Sequence, residues 1–311
     1  MKELRIFCPA TIANVACGFD VLGLCLDHIG DEMVVRKTGS GQVTISRIEG
    51  QDLPLEAANN VAGVSAMALL KALGSKQGFD MEIHKKIKPG SGIGSSAASA
   101  AGAVFAINRL LGEPFTLNEL IPFAMEGEKL ASGALHADNV APALLGGFSL
   151  VRSYDPLDVI RLHTPGQLYA TIIHPQIEVK TADARSVLKH SVPLKKAIAQ
   201  WGNVGGLVSG LYTEDYDLIG RSLHDGIVEP LRSLLIPRFD QVKQASAEAG
   251  ALGSGISGSG PSIFALSKGE HTAKKVAEAM TQVYADSGVA FDVHVSGISH
   301  EGVRPTMSGT P

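Results

Sequence analysis

The 311-residue chain is poor in several things, and each scarcity removes a class of protein. It has three cysteines, Cys8, Cys17 and Cys25, an odd number spaced too widely for paired zinc ligands, so buried, reduced thiols are expected. Aromatic residues make up 5%, and no basic stripe is interleaved with them. With 27 Lys and Arg against 31 Asp and Glu, the formal charge of -4 lacks the electrostatic footprint of a nucleic-acid binder. No apolar run is long enough to span a membrane, and Met1-Lys-Glu-Leu-Arg-Ile passes straight into a strand-like pattern without a signal-peptide core. A soluble, cytoplasmic protein is expected, without membrane or nucleic-acid partners. Internal repeats and low-complexity blocks are also missing.

What is present is glycine, 35 residues of it, in a chain that is 45% hydrophobic and long enough for two domains or one two-lobed unit. The most informative stretch runs from Pro89 to Ala103, where a loop of glycines and serines opens into a small-residue helix. Glycine lets the backbone approach an anion closely, and the N–H groups and dipole of a helix start attract negative charge. No lysine follows the last glycine, which excludes a Walker A loop, and Gly90, Gly92 and Gly94 lack the third glycine spacing of a dinucleotide fingerprint. Ala97, Ala100, Ala101, Val104 and Phe105 share one helical face, so the helix reads as amphipathic with a nearly bare first turn. A nucleoside triphosphate is the first ligand to consider. A helix merely capped by glycine and serine is the alternative.

Around this loop the pattern predicts strands at 3–8, 31–37, 43–48 and 81–87. A helix carries Ala66, Leu69, Leu70 and Leu73 after Asn59 and Asn60, with Gly74 as its cap. Thr116 and Glu119 have capping-box spacing, and Pro122 is expected to kink the helix that follows. Glu128 falls on the apolar face of that helix and Glu126 on the opposite one. An inward carboxylate requires a partner, either a structural cation or a metal or ligand. Turn residues between Ser153 and Pro165 place the boundary between two units, 1–155 and 156–311. Beyond it, strands are expected at 168–174, 262–266 and 291–296, and helices at 182–190, 214–225, 238–249 and 271–286. The last has the stripe Ala273, Val276, Ala277, Met280 and Tyr284, and the mixed order indicates an α+β architecture. The tail, 301–311, is rich in Gly, Pro, Ser and Thr and reads as disordered.

Three polar clusters and two arginines accompany the loop. Thr11 to Asn14 and Gly18-Phe-Asp20 supply an amide and a carboxylate, either for a ligand or for turns. His136, Asp138 and Asn139 lie within four residues beside an apolar run, a density that favours a site. Gly253 to Ser262 is a second glycine and serine loop, readable as a further pocket wall or as a tight turn. Arg185 and Arg232 could each hold a carboxylate through two parallel hydrogen bonds, or pair at the surface.

Together these motifs resemble the GHMP kinase family along nearly the whole chain. The resemblance rests on residues 9–20, the loop at 89–98, His-Ala-Asp-Asn at 136–139 and Gly-Ile-Ser-Gly-Ser-Gly-Pro-Ser at 255–262. Thr-Ala-Asp-Ala-Arg at 181–185 and Glu-Pro-Leu-Arg around Arg232 match members that phosphorylate the amino acid L-homoserine. The fold implied is two-lobed, a mixed α/β N-terminal lobe followed by a ferredoxin-like C-terminal lobe, in a homodimer. ATP would be held by Pro89, Gly90, Ser91, Gly92, Ile93, Gly94, Ser95, Ser96, Ala97 and Ala98, with Asn60 and Lys85 toward the nucleoside. Ser96 and Glu128 would hold magnesium. Homoserine would sit among Asn14, Asp20, Thr181, Arg185 and Arg232, with His136, Asp138 and Asn139 at the reaction centre. Several relatives carry an aspartate where this chain has Asn139, which argues against a direct base there. The alternatives are a kinase of the same family for an isoprenoid or sugar alcohol, and a non-catalytic nucleotide-binding module.

Overall fold

The computed structural model describes residues 2–177, 179, 181–189 and 191–306, without the side chains of 181–183. The first lobe opens with β1 (Glu3–Ala13), β2 (Leu22–Thr38), β3 (Val43–Glu49), α1 (Val61–Leu73) and β4 (Gly78–His84). Then come α2 (Ser95–Leu110), α3 (Leu117–Ser132), α4 (Val140–Leu145) and the hairpin β5 (Phe148–Tyr154) and β6 (Leu157–Leu162). The second lobe contains β7 (Leu168–Pro175), α5 (Thr181–Ser186), α6 (Leu194–Thr213), α7 (Tyr216–Ser222), α8 (Glu229–Arg232) and α9 (Phe239–Glu248). It continues through β8 (Gly253–Ile256), β9 (Ile263–Lys268), α10 (Glu270–Ala285) and β10 (Phe291–Gly297), and β11 (Arg304–Pro305) returns to the first lobe.

Two sheets organise these elements. The larger has the order β11-β1-β2-β4-β3, with the β5–β6 hairpin added along the start of β2. Only β3 and β4 run parallel there. The smaller sheet, β10-β7-β9-β8, is antiparallel throughout and has ferredoxin-like strand order. Within β1, Leu4, Ile6 and Cys8 alternate toward the core before the strand becomes wholly enclosed.

The helix after the glycine loop differs from its predicted form. All of α2 except Ser96 and Arg109 is buried, because it runs between the large sheet and helices α1, α3 and α4. Its alanines and Gly102 therefore serve close approach on every side: a Cβ at Gly102 would stand 2.4 Å from Cys8 Sγ. The crossing of α1 and α3 is equally tight, with Gly127 facing Ser65 and the backbone of Val61. The Thr116 and Glu119 capping box forms, and Pro122 sits in the first turns of an otherwise continuous α3.

Several boundaries move. Strands β1 and β2 are longer than predicted, and β4 ends at His84, which leaves Lys85 just beyond it. Helix α6 carries no strong helical signal because its Leu194, Ile198 and Trp201 are more than half exposed and glycines interrupt it. The Asp155-Pro156 turn lies inside the β5–β6 hairpin, so a cut at 155 would divide paired strands; we place the junction after Leu162. One apolar core joins the lobes, with Ala170, Ile172, Phe264 and Leu266 continuous with Ile6, Leu24 and Val104. A smaller cluster, including Ile173, Val242, Val276, Met280 and Tyr284, packs α9 and α10 on the other face of the second sheet. All three cysteines are buried and none is in a disulfide. Of the glycine-rich tail, Arg304 and Pro305 pair with Phe7 and Ile6 in the large sheet, and 307–311 lie outside the described residues.

Candidate active site

A cleft of about 750 Å³ lies between the lobes, with Gly90, Gly92, Gly94, Ser95 and Ser96 on one side. Asn14, Asp20, His136, Asp138, Asn139, Arg185 and Arg232 line it as well. The glycine loop reaches the cleft because three of its residues take left-handed backbone, φ +74° at Gly90, +84° at Gly92 and +71° at Gly94. A Cβ on Gly92 would lie 2.7 Å from the carbonyl oxygens of Ser257 and Gly260, so the second glycine loop is packed directly on the first. Ser257 Oγ donates to the Gly92 carbonyl at 2.7 Å, and the Ser262 amide to the Ser91 carbonyl at 3.3 Å. That second loop also contributes Gly258 and Ser259 to the cleft wall, and its first residues form β8.

Within the loop, Ile93 is a buried plug whose carbonyl accepts from the Thr11 amide at 3.1 Å. Ser95 Oγ donates to the Ile87 carbonyl at 3.0 Å, whereas the partly exposed Ser96 lines the cleft. Ala97 and Ala98 lie buried in the first turn of α2; the Ala98 amide donates to the Gly94 carbonyl at 2.9 Å, and the amides ahead of it are the ones a helix start leaves without a helical partner.

Two residues predicted at the nucleoside end are engaged within the protein. Asn60 caps α1, accepting from the Ala62 amide at 3.0 Å and donating to the Pro54 carbonyl at 2.8 Å. The ammonium of Lys85 is paired with Asp31 and donates to the Ser95 carbonyl at 2.8 Å and to Ser99 Oγ at 3.1 Å. With its side chain 2% exposed, Lys85 anchors the start of α2 to β2. Both still border the cleft.

After β1 the chain makes a left-handed turn through Asn14, Val15 and Ala16, and Asp20 is left-handed too. Such backbone costs about 1–2 kcal/mol per non-glycine residue, so it needs support. Asn14 provides it, donating through Nδ2 to the Gly258 carbonyl at 2.8 Å while Oδ1 accepts from the Asp20 amide at 2.9 Å. Asp20 in turn accepts from Arg185 Nη2 through both carboxylate oxygens. Arg232 is buried, donating from Nε to the Ala184 carbonyl at 2.8 Å and from Nη1 to that of Gly258 at 3.2 Å. Burial, with Arg185 nearby, lowers its pKa to about 10. The side chain of Thr181 lies outside the described residues.

The carboxyls opposite are held in an unusual state. Burial pushes Glu128 up to about 7, opposed by the Ser96 hydroxyl and the Lys85 charge, and its Oε1 has no partner among the described residues. Asp138 also rises to about 7, through burial first and then the negative charges of Asp20 and Glu128. His136 is lowered, chiefly by burial and further by Arg185 and Arg232. Its Nδ1 lies 3.5 Å from Arg185 Nη2, and its buried Nε2 has no partner among the described residues. Among those residues no group of three or more His, Cys, Asp or Glu could hold a metal unaided.

Three side chains belong to this arrangement beyond those predicted. Both guanidiniums lie over the Phe19 ring, that of Arg185 at 5.6 Å and that of Arg232 at 5.0 Å from its centroid. Thr11 Oγ1 donates to Asn139 Oδ1 at 2.7 Å. Tyr154 donates to the Asp20 carbonyl at 2.8 Å and accepts from the Ala137 amide at 3.3 Å, tying two walls together. Thr11 and Phe19 stand inside a motif the sequence displayed; Tyr154 has no local signal.

Known proteins share this architecture. Residues 59–147 match the GHMP kinases N terminal domain and residues 207–286 the GHMP kinases C terminal domain. The chain is 48% identical to a homoserine kinase of Chloroherpeton thalassium, covering 98% of this chain and 99% of the relative. A Pyrococcus abyssi homoserine kinase is 41% identical over 95% of this chain and 97% of its own. The crystal structure of homoserine kinase from Cytophaga hutchinsonii superposes with a TM-score of 0.95 at 52% identity, covering 98% of both chains. With both lobes matched and this much sequence shared along whole relatives, the chain belongs to the GHMP kinase family and, within it, to the homoserine kinases.

Proposed function

We propose that this cleft transfers the γ-phosphoryl group of ATP to the side-chain hydroxyl of L-homoserine, giving O-phospho-L-homoserine and ADP, a step of threonine biosynthesis. One observation carries the reading: a glycine loop at a helix N-terminus and a pair of arginines that both contact the Phe19 ring line the same cleft. The loop amides and the α2 dipole suit phosphates. The arginines suit the α-carboxylate, and the acidic groups Asp20 and Asp138 suit the ammonium. Lys85 and Asn60 serve by holding the loop and α1 in place.

In-line attack requires the substrate hydroxyl near the γ-phosphorus and the leaving oxygen opposite. The new O–P bond forms as the bond to the β,γ-bridging oxygen breaks. Phosphoryl transfer has a loose transition state in most analyses, so the hydroxyl proton departs late, to an oxygen of the transferred phosphoryl group and from there to solvent, and no strong base is required. Asn139 orients the hydroxyl, while His136 and Asp138 shape the pocket around it. The buried Oε1 of Glu128, without a partner among the described residues and beside Ser96, fits a shared cation site, and these two residues would hold magnesium together with the phosphates. A magnesium ion there would neutralise charge on the phosphoryl oxygens. Family membership also supports a cytoplasmic homodimer, and no described helix is long and apolar enough to cross a membrane.

The test is ADP release in a coupled assay with and without L-homoserine. Release stimulated by homoserine is expected; stimulation only by an isoprenoid or sugar alcohol, or by nothing, would overturn the reading.

A further inference from the structure

An asparagine can present either a hydrogen-bond donor or an acceptor to a substrate, and the two ends call for opposite chemistry. At Asn139 the choice falls to a neighbour 128 positions away in sequence. A threonine hydroxyl can accept from Nδ2 or donate to Oδ1, but the fully buried Thr11 hydroxyl has no other acceptor for its hydrogen among the described residues, which favours Oδ1. Thr11 is fully buried on β1, and its hydroxyl donates to Asn139 Oδ1 at 2.7 Å. The strand fixes that hydroxyl: the Thr11 amide is bonded to the Ile93 carbonyl, and Thr11 pairs with Cys25 across the sheet. The last loop glycine closes around the same contact. A Cβ on Gly94 would lie 2.1 Å from Thr11 Oγ1 and 3.1 Å from Asn139 Oδ1. The amide oxygen is therefore held against Thr11 and the base of the phosphate loop. Asn139 borders the cleft, and its Nδ2 has no hydrogen bond to another described residue.

We propose that Thr11 is a positioning residue that turns the Asn139 amide so that Nδ2, a donor, faces the reacting oxygens. The inference rests on the kinase reading above and deepens it. An Nδ2 donor can steady negative charge on the attacking and phosphoryl oxygens, and it cannot accept the substrate proton. Asn139 then acts as an electrostatic partner of the transition state, and the threonine behind it keeps the amide from rotating.

Thr11→Val removes the hydroxyl at nearly constant volume. We expect kcat to fall about tenfold or more while KM for ATP and for homoserine stay within about threefold. Thr11→Ser should restore most of kcat. In an Asn139→Ala background, Thr11→Val should have no further effect on kcat, since the threonine acts only through the amide. Undiminished kcat in Thr11→Val, or losses that multiply in the double variant, would overturn the proposal. Asn139→Asp supplies a test that does not depend on Thr11→Val folding, because it keeps the acceptor for Thr11 and loses the donor. Its kcat should fall as far as that of Asn139→Ala; activity at or above wild type would overturn a donor role. The wild-type control separates the two levels: absent homoserine-dependent ADP release removes the kinase reading itself, whereas a normal wild type with additive variants removes only the role of Thr11.

Discussion

Arg185 donates through Nη2 to both carboxylate oxygens of Asp20, at 2.8 and 3.1 Å, and so ties α5 to the loop after β1. Arg232 approaches the same place from α8 with its hydrogen bonds directed at backbone carbonyls. The two arginines therefore make different demands on the fold, although both line the same cleft.

Arg185→Leu should raise KM for homoserine at saturating ATP about tenfold or more, because a charge-assisted pair is lost. KM for ATP and the melting temperature should barely change. Arg232→Leu should raise KM similarly and also lower stability by about 1–3 kcal/mol, since it strands the Ala184 carbonyl at a buried position, while the Gly258 carbonyl keeps the Asn14 amide as its donor. Steady-state kinetics with thermal melts separates these effects; an unaltered homoserine KM in both variants contradicts the carboxylate clamp.

Glu128 and Asp138 both sit near pKa 7 in the folded protein, above their ordinary 4.5 and 3.8. The folded chain thus binds their protons more tightly than the unfolded chain does. Stability falls as pH rises through the window between about 4 and 7, and levels off once both are ionised. Glu128→Gln should therefore be more stable than wild type at pH 8, by on the order of 1–3 kcal/mol, with the difference shrinking toward pH 5. Denaturant melts of metal-free protein across that range would show it. The same substitution should weaken magnesium dependence of turnover; a stability difference that grows on acidification contradicts the assignment.

Gly92→Ala combines a φ of +84° with a Cβ only 2.7 Å from two carbonyl oxygens of the second loop. The glycine loops must separate to admit it. The expected result is at least tenfold weaker binding of an ATP analogue in calorimetry, with homoserine-site residues intact. Wild-type affinity would show that the contact between loops does not shape the phosphate site.

Lys85→Met removes the partner of an Asp31 carboxylate that is 1% exposed. Leaving that charge unpaired should cost about 3–5 kcal/mol of stability. A chain that melts normally but has lost ATP affinity would instead place Lys85 at the nucleotide.

Much of the site was legible because it is written in short, local motifs. Gly90, Gly92 and Gly94 announce positive φ, the capping box announces α3, and helical periodicity alone turns Glu128 inward. Other features depend on distant contacts. Asn60 stands before α1 in the sequence and near the nucleoside by resemblance, and its capping bond depends on where the fold places the Ala62 amide. Helix α6 escaped detection because its buried positions are few, and the β5–β6 hairpin because its turn resembled a linker.

The sequence by itself determined the chemistry on offer: an anion-binding loop, an inward carboxylate, a dense polar cluster, two arginines and the family they resemble. Tertiary structure decided what each group is able to do. It spent the ammonium of Lys85 on Asp31, brought two guanidiniums to the Phe19 ring, left buried Glu128 Oε1 without a partner among the described residues and brought Thr11 to Asn139. The reason is physical. Propensity and periodicity act over a few residues, whereas desolvation and hydrogen-bond satisfaction depend on which distant atoms the fold brings within 3 Å or so of one another.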